Sequence, residues 1–258
     1  MKYLAKKAIL AAALGSAAAA GGAAPAAAAD GAQTTVVLVH GAFVDGSVWR
    51  NVIPRLEAKG LKVVAVQNPL TSLADDVAAT RRVLDMQTGP VVLVGNSWGG
   101  VVITEAGQHE RVKSLVYVAA FAPAEGQSIN SLSKAYPTPS GFSHLVADKE
   151  GFLTLSLEGV QKHLAQFVPE AETRLMAATQ VPVRALNFDE KVTVAAWKTK
   201  PSWYLISEQD NMMPPALQQQ MARTISAHTV SLPADHSPQV SRPEDVVNLI
   251  LTAALKAD

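Results

Sequence analysis

Three polar side chains stand where they can cooperate. Ser97 lies among glycines in Gly95-Asn96-Ser97-Trp98-Gly99-Gly100, Asp210 lies in Ser207-Glu208-Gln209-Asp210-Asn211, and His236 lies in Ala234-Asp235-His236-Ser237-Pro238. A serine hydroxyl attacks a carbonyl at neutral pH only when a base takes its proton, and the base needs a partner to orient it. Serine, histidine and a carboxylate fill those roles, in the chain order nucleophile, acid, base that a Gly-x-Ser-x-Gly pattern calls for. Glu208 is a nearby competitor for the acid. Asp235 is a weaker one, because an immediate neighbour of the base cannot easily reach back to its ring. Of the six histidines, His40 reads as support for the Gly41 loop, and His109, His144, His163 and His228 read as solvated side chains.

Acyl transfer also develops a negative oxygen, which preorganised N–H donors stabilise by about 3 to 4 kcal/mol each. The peptide N–H of Trp98, the residue after the nucleophile, supplies one donor. The loop His40-Gly41-Ala42-Phe43 supplies the other, with Ala42 the first choice and Phe43 the alternative. Phe43, Trp98, Phe121 and Met212 are candidate walls of the substrate pocket. Phe142, Phe152, Phe167 and Phe188 either join them or fill a core of their own.

These side chains need a scaffold that brings distant loops to one edge. Val91-Val92-Leu93-Val94 is an apolar, β-branched run ending at Gly95, as in a central strand covered on both faces, with Ser97 on the sharp turn into the next helix. Further strands are expected at 34–40, 61–66, 112–119, 202–207 and 229–232. A helix starts from the Ser72 and Asp75 capping pair, and Ser241 with Glu244 is expected to cap the last helix. Pro54 is expected in a bend or a late-starting first turn. Strand and helix alternate up to about residue 123, the signature of a parallel sheet. The rhythm then breaks, and residues from about 124 to 195 read as an inserted, mainly helical cap over the site. His236 and Asp210 each follow a strand, which puts them at the carboxyl edge where open α/β sheets bind ligands.

The first 29 residues differ from the rest. Lys2, Lys6 and Lys7 precede an alanine-rich apolar run, and Ala27 and Ala29 form an A-x-A site before Asp30. This is the layout of a secretory signal peptide, and the apolar run is short for the roughly 20 residues of a membrane span. Its removal lowers Lys and Arg from 22 to 19 against 22 acids, a net charge near −3. That balance gives no electrostatic case for nucleic acid or an anionic membrane. With no cysteine in the chain, disulfides and thiolate metal sites are excluded. The expectation is an exported chain, periplasmic or secreted, in which 30–258 form one domain. Oligomeric state leaves no mark in the sequence.

Taken with Leu115-Val116-Tyr117-Val118-Ala119-Ala120-Phe121, the motifs quoted above resemble the α/β-hydrolase superfamily, and within it the small serine esterases near plant methyl-ester esterases and hydroxynitrile lyases. The resemblance covers essentially all of the mature chain and is weakest in the cap. It implies an α/β fold with a mostly parallel sheet of about six strands and helices on both faces. It further implies a Ser-His-Asp hydrolase that needs no cofactor or metal and acts on small-molecule esters. Haloalkane dehalogenases and epoxide hydrolases of this fold carry aspartate where Ser97 stands. Hydroxynitrile lyases of the branch carry lysine where Ser237 stands. Asn96 resembles the residue before the nucleophile in hydrolases that cleave carbon–carbon bonds. That chemistry and perhydrolysis on the same triad are alternatives, as is a ligand-binding protein with a hydrolase pocket and little turnover.

Overall fold

The apolar runs assemble into one parallel sheet in the computed structural model, which describes residues 33–256. The leader expected at 1–29 lies outside the described residues. The first half of the chain forms β1 (Thr35–Val39), α1 (Ile53–Glu57), β2 (Lys62–Val66), α2 (Leu73–Asp85), β3 (Val91–Ser97), α3 (Trp98–Ala106) and β4 (Val112–Ala120). Pro54 falls in the first turn of a short helix that starts at Ile53, where its missing N–H costs no hydrogen bond. The inserted segment forms α4 (Ile129–Ser133), β5 (Leu145–Ala147), β6 (Phe152–Leu155), α5 (Leu157–Gly159), α6 (Glu170–Thr179) and β7 (Val183–Arg184), with single 3-10 and π turns between them. The chain ends with β8 (Ser202–Ser207), α7 (Pro215–Thr224), β9 (His228–Leu232), α8 (Pro238–Ser241) and α9 (Pro243–Ala254).

The six-stranded sheet has the order β2-β1-β3-β4-β8-β9, and every pairing in it is parallel. All six strands therefore end on one edge. The chain leaves β1 toward β2 on one side and leaves β3 toward β4 on the other. The crevice between the ends of β1 and β3 is thus a topological switch point, where such sheets bind ligands. Both strands are buried at every residue. No described helix is long and apolar enough to cross a membrane.

Two local expectations change. The cap carries a three-stranded antiparallel sheet, β5-β6-β7, where a mainly helical insertion was expected. Strands this short do not establish a readable period of two. Ser241 does not cap the last helix, which begins at Pro243 with Arg242 at its N-cap. The Ser241 hydroxyl instead donates to Asp235 Oδ1 at 2.8 Å.

The corner at Ser97 depends on the absence of three methyl groups. A Cβ on Gly95 would lie 2.5 Å from the Gly99 carbonyl oxygen, one on Gly99 2.4 Å from that of Val39, and one on Gly100 2.2 Å from that of Phe121. The obstacles are backbone atoms and cannot swing aside. Gly99→Ala is expected to lower stability by about 3 kcal/mol by forcing α3 off β1, read as a fall in urea midpoint at unchanged slope.

Candidate active site

Ser97 occupies the turn from β3 into α3 with φ 52° and ψ −120°. This left-handed backbone is strained for a residue with a Cβ and is held by the surrounding sheet and helix. The neighbouring strand accommodates it through a register shift that pairs Ser97 with Ala120, and the Phe121 N–H closes onto the Ser97 carbonyl at 3.1 Å.

His236 and Asp210 meet Ser97 at this edge. The Ser97 hydroxyl lies 2.8 Å from His236 Nε2, and His236 Nδ1 lies 2.6 Å from Asp210 Oδ2. An ionised carboxylate only accepts, so Nδ1 carries the proton and Nε2 accepts the serine hydrogen. Asp210 is itself fixed: Oδ1 accepts the N–H groups of Met212 at 2.7 Å and Met213 at 2.8 Å, and Oδ2 also accepts Gln218 Nε2 at 2.8 Å. Glu208 is exposed on the same loop. Asp235 is buried and faces away from the imidazole, accepting the N–H groups of Ser237 and of Phe167 in the cap. Burial pushes its carboxyl above the usual range.

The oxyanion candidates flank this group. Ala42, Phe43 and Trp98 all border the cleft with Ser97 and His236, and among the described residues none of their peptide N–H groups donates to a protein acceptor. Phe43 is in the left-handed region at φ 64°. His40 holds the loop from below. Its Nδ1 donates to the Gly41 carbonyl at 2.8 Å and its Nε2 accepts the Asn68 N–H at 2.9 Å, while burial pushes the imidazole below its ordinary value. Gly41 is needed there, since a Cβ would lie 2.8 Å from the Ser97 Cβ.

The cleft holds about 580 Å3 counting its open mouth. Phe43, Trp98, Phe121 and Met212 line it, and the cap closes it with Ile129, Phe142 and Phe188. Among the described residues no Lys, Arg, Asp or Glu side chain borders it. Phe152 and Phe167 do not reach it, and Phe167 is half exposed. Among the described residues no three His, Cys, Asp or Glu side chains cluster so as to hold a metal ion.

Sequence reasoning missed the polar groups behind the site. Asn96 points away from the cleft and ties the end of β3 to the loop that carries His236. Its Nδ2 donates to the carbonyls of Val118 at 2.9 Å and His236 at 3.3 Å, and its Oδ1 accepts Gln239 Nε2 at 3.2 Å. The residue that suggested carbon–carbon chemistry is thus engaged in holding His236. Gln218 carried no sequence signal. Asp76 did, as an acid on the apolar stripe of α2 formed by Leu73, Val77, Thr80 and Leu84. It accepts the Trp98 indole N–H at 2.7 Å.

Burial pushes the Asp76 carboxyl up to about 6, aided by the nearby charges of Asp75 and Glu190 and opposed by the Trp98 and Leu70 hydrogen bonds. A carboxyl whose folded value exceeds the unfolded 3.8 binds its proton sooner in the folded state. Its contribution to stability is therefore complete below about pH 4 and lost as pH rises through 6. Relative to Asp76→Asn, the parent is expected to gain about 2 kcal/mol between pH 7 and pH 4, measured by urea unfolding at both values.

Comparison with known proteins agrees with this architecture. A pyrethroid hydrolase of Sphingobium wenxiniae is 28% identical to this chain, the match covering 84% of this chain and 86% of the relative. Methylesterase 2 of Arabidopsis thaliana is 26% identical, covering 84% and 95% respectively. A crystal structure of a pyrethroid hydrolase superposes with a TM-score of 0.76 at 24% identity, covering 86% of this chain and 97% of the other. The model of the alpha/beta hydrolase family matches residues 36–249. By its sheet, its strained serine corner and this match over most of its length, the chain belongs to the alpha/beta hydrolase family.

Proposed function

We propose that this chain is a serine esterase that cleaves uncharged carboxylic esters of small or medium size through an acyl-enzyme. The observation that carries the reading is the hydrogen-bonded series from Ser97 through His236 to Asp210, opening into an apolar cleft. Ser97 Oγ attacks the ester carbonyl as His236 Nε2 takes its proton. The oxyanion is received by the N–H groups of Trp98 and Ala42, where it gains more than the ground-state carbonyl does. His236 then protonates the departing alcohol, and a water activated by the same imidazole releases the acid. The relatives named for pyrethroid and methyl-ester hydrolysis support an ester as substrate. The leader-like residues at 1–29 support action outside the cytoplasm.

A cleft without charged walls disfavours charged acyl groups, because a carboxylate placed there gives up water for no partner. The chain is expected to hydrolyse p-nitrophenyl butyrate and to hydrolyse the p-nitrophenyl half-ester of succinate at least about tenfold more slowly. A fluorophosphonate is expected to label Ser97. Tight ligand binding with neither labelling nor turnover would replace the esterase reading with a binding role.

A further inference from the structure

Asp76 lies fully buried on α2, and no salt bridge among the described residues reaches it. A buried carboxylate without a cation is costly unless its oxygens are hydrogen-bonded. Both are, and both bonds lead back to the cleft. Oδ2 accepts the Trp98 indole N–H at 2.7 Å, and Oδ1 accepts the Leu70 N–H at 2.8 Å. Trp98 follows the nucleophile and opens α3, whose start has no side-chain cap. Its ring bond to Asp76 is therefore a polar anchor for the first peptide of that helix. Leu70 is held in the left-handed region at φ 58°. Its carbonyl accepts the Arg184 N–H and Asn187 Nδ2, each at 3.0 Å. Phe188 follows directly, meeting Trp98 edge-on at 6.2 Å and Phe43 at 6.4 Å.

We propose that Asp76 is a positioning residue of the reaction: it fixes the Trp98 indole and the Leu70 turn, and through them the Trp98 peptide N–H at the oxyanion and the Trp98–Phe188–Phe43 wall of the cleft. The inference rests on the esterase reading. The oxyanion exists only as the reaction proceeds, so a loosened Trp98 lowers kcat more than it raises KM. A carboxylate that merely filled the core would affect the number of folded molecules and leave the rate per active site unchanged.

The test measures kcat and KM for p-nitrophenyl acetate with the parent, Asp76→Asn, Trp98→Phe and the double variant, each counted by titration with diethyl p-nitrophenyl phosphate. Each single change is expected to lower kcat per titrated site by about tenfold while KM moves less than about threefold. The double variant is expected to fall within about twofold of the worse single one, because asparagine has one acceptor for two donors, Trp98 Nε1 and the Leu70 N–H, and once Trp98→Phe removes the first, its oxygen can serve the second. A rate per site within about twofold of the parent in either single variant, or losses that multiply in the double one, would overturn the proposal. If Asp76→Asn does not fold, Trp98→Phe decides by its KM-against-kcat split, since it keeps one ring in the wall while removing the indole donor and part of the wall: a loss carried by kcat supports the proposal, and a loss carried by KM alone overturns it. A parent that hydrolyses no ester overturns the esterase reading and this inference together, whereas turnover unaffected by the variants overturns this inference only.

Discussion

Ser97→Ala is expected to lower ester turnover by at least about 10^4-fold while leaving the fold intact. The backbone at this position is strained for alanine as it is for serine, since both carry a Cβ at φ 52°. The change therefore removes only the hydroxyl and its bond to His236. No neighbouring hydroxyl replaces it, because among the described lining residues the other hydroxyl, that of Ser133, belongs to α4 in the cap. The remaining cleft and N–H donors can polarise an ester for attack by water, which leaves a small residual rate. The check is kcat for p-nitrophenyl butyrate beside the thermal midpoint. Parent-like turnover would remove Ser97 from the chemistry, and a collapsed midpoint would show that the hydroxyl holds the corner.

The core of this site is legible in the sequence because its determinants are local. A β-branched run, a glycine-flanked serine and a helix describe a strand, a corner and a helix with no reference to distant residues. Parallel strands then bring the loops after β8 and β9 to the same edge, so that Asp210 and His236 can be named from their place after a strand. The cap is different. Phe142 and Phe188 reach the cleft while Phe152 and Phe167 do not, and the four look alike in sequence because which of them turns inward depends on tertiary packing. Ser241 followed the capping pattern and bonds to Asp235 instead, since Pro243 already sets the helix start and the carboxylate lies within reach. Asp76 is an acid on an otherwise apolar helix face that sequence reasoning did not single out, and only the fold identifies its partner Trp98 on another helix.

The same geometry separates two neighbouring carboxylates. Asp235 precedes His236, and its oxygens are occupied by Ser237, Ser241 and the N–H of Phe167 in the cap. Its bonds thus join the base loop to the cap, and its substitution is a matter of stability and cap placement. Asp210 meets the imidazole directly.

Asp210→Asn is accordingly expected to lower kcat by about 10^4-fold, with Asp235→Asn retaining most of the turnover. The orientation of the new amide decides the outcome. Two backbone donors, the N–H groups of Met212 and Met213, converge on Oδ1, so the asparagine oxygen takes that place and the NH2 group takes that of Oδ2. There it meets the Gln218 amide donor and His236 Nδ1. Nδ1 can satisfy an N–H donor only by giving up its own proton, which moves the hydrogen to Nε2. The imidazole then presents a donor to the Ser97 hydroxyl and cannot take its proton, although the heavy-atom positions hardly change. The check is kcat for p-nitrophenyl butyrate together with fluorophosphonate labelling, both of which should fall in Asp210→Asn while the thermal midpoint stays within a few degrees of the parent. Loss of turnover in Asp235→Asn with retention in Asp210→Asn would reverse the assignment and make the residue beside the base its partner.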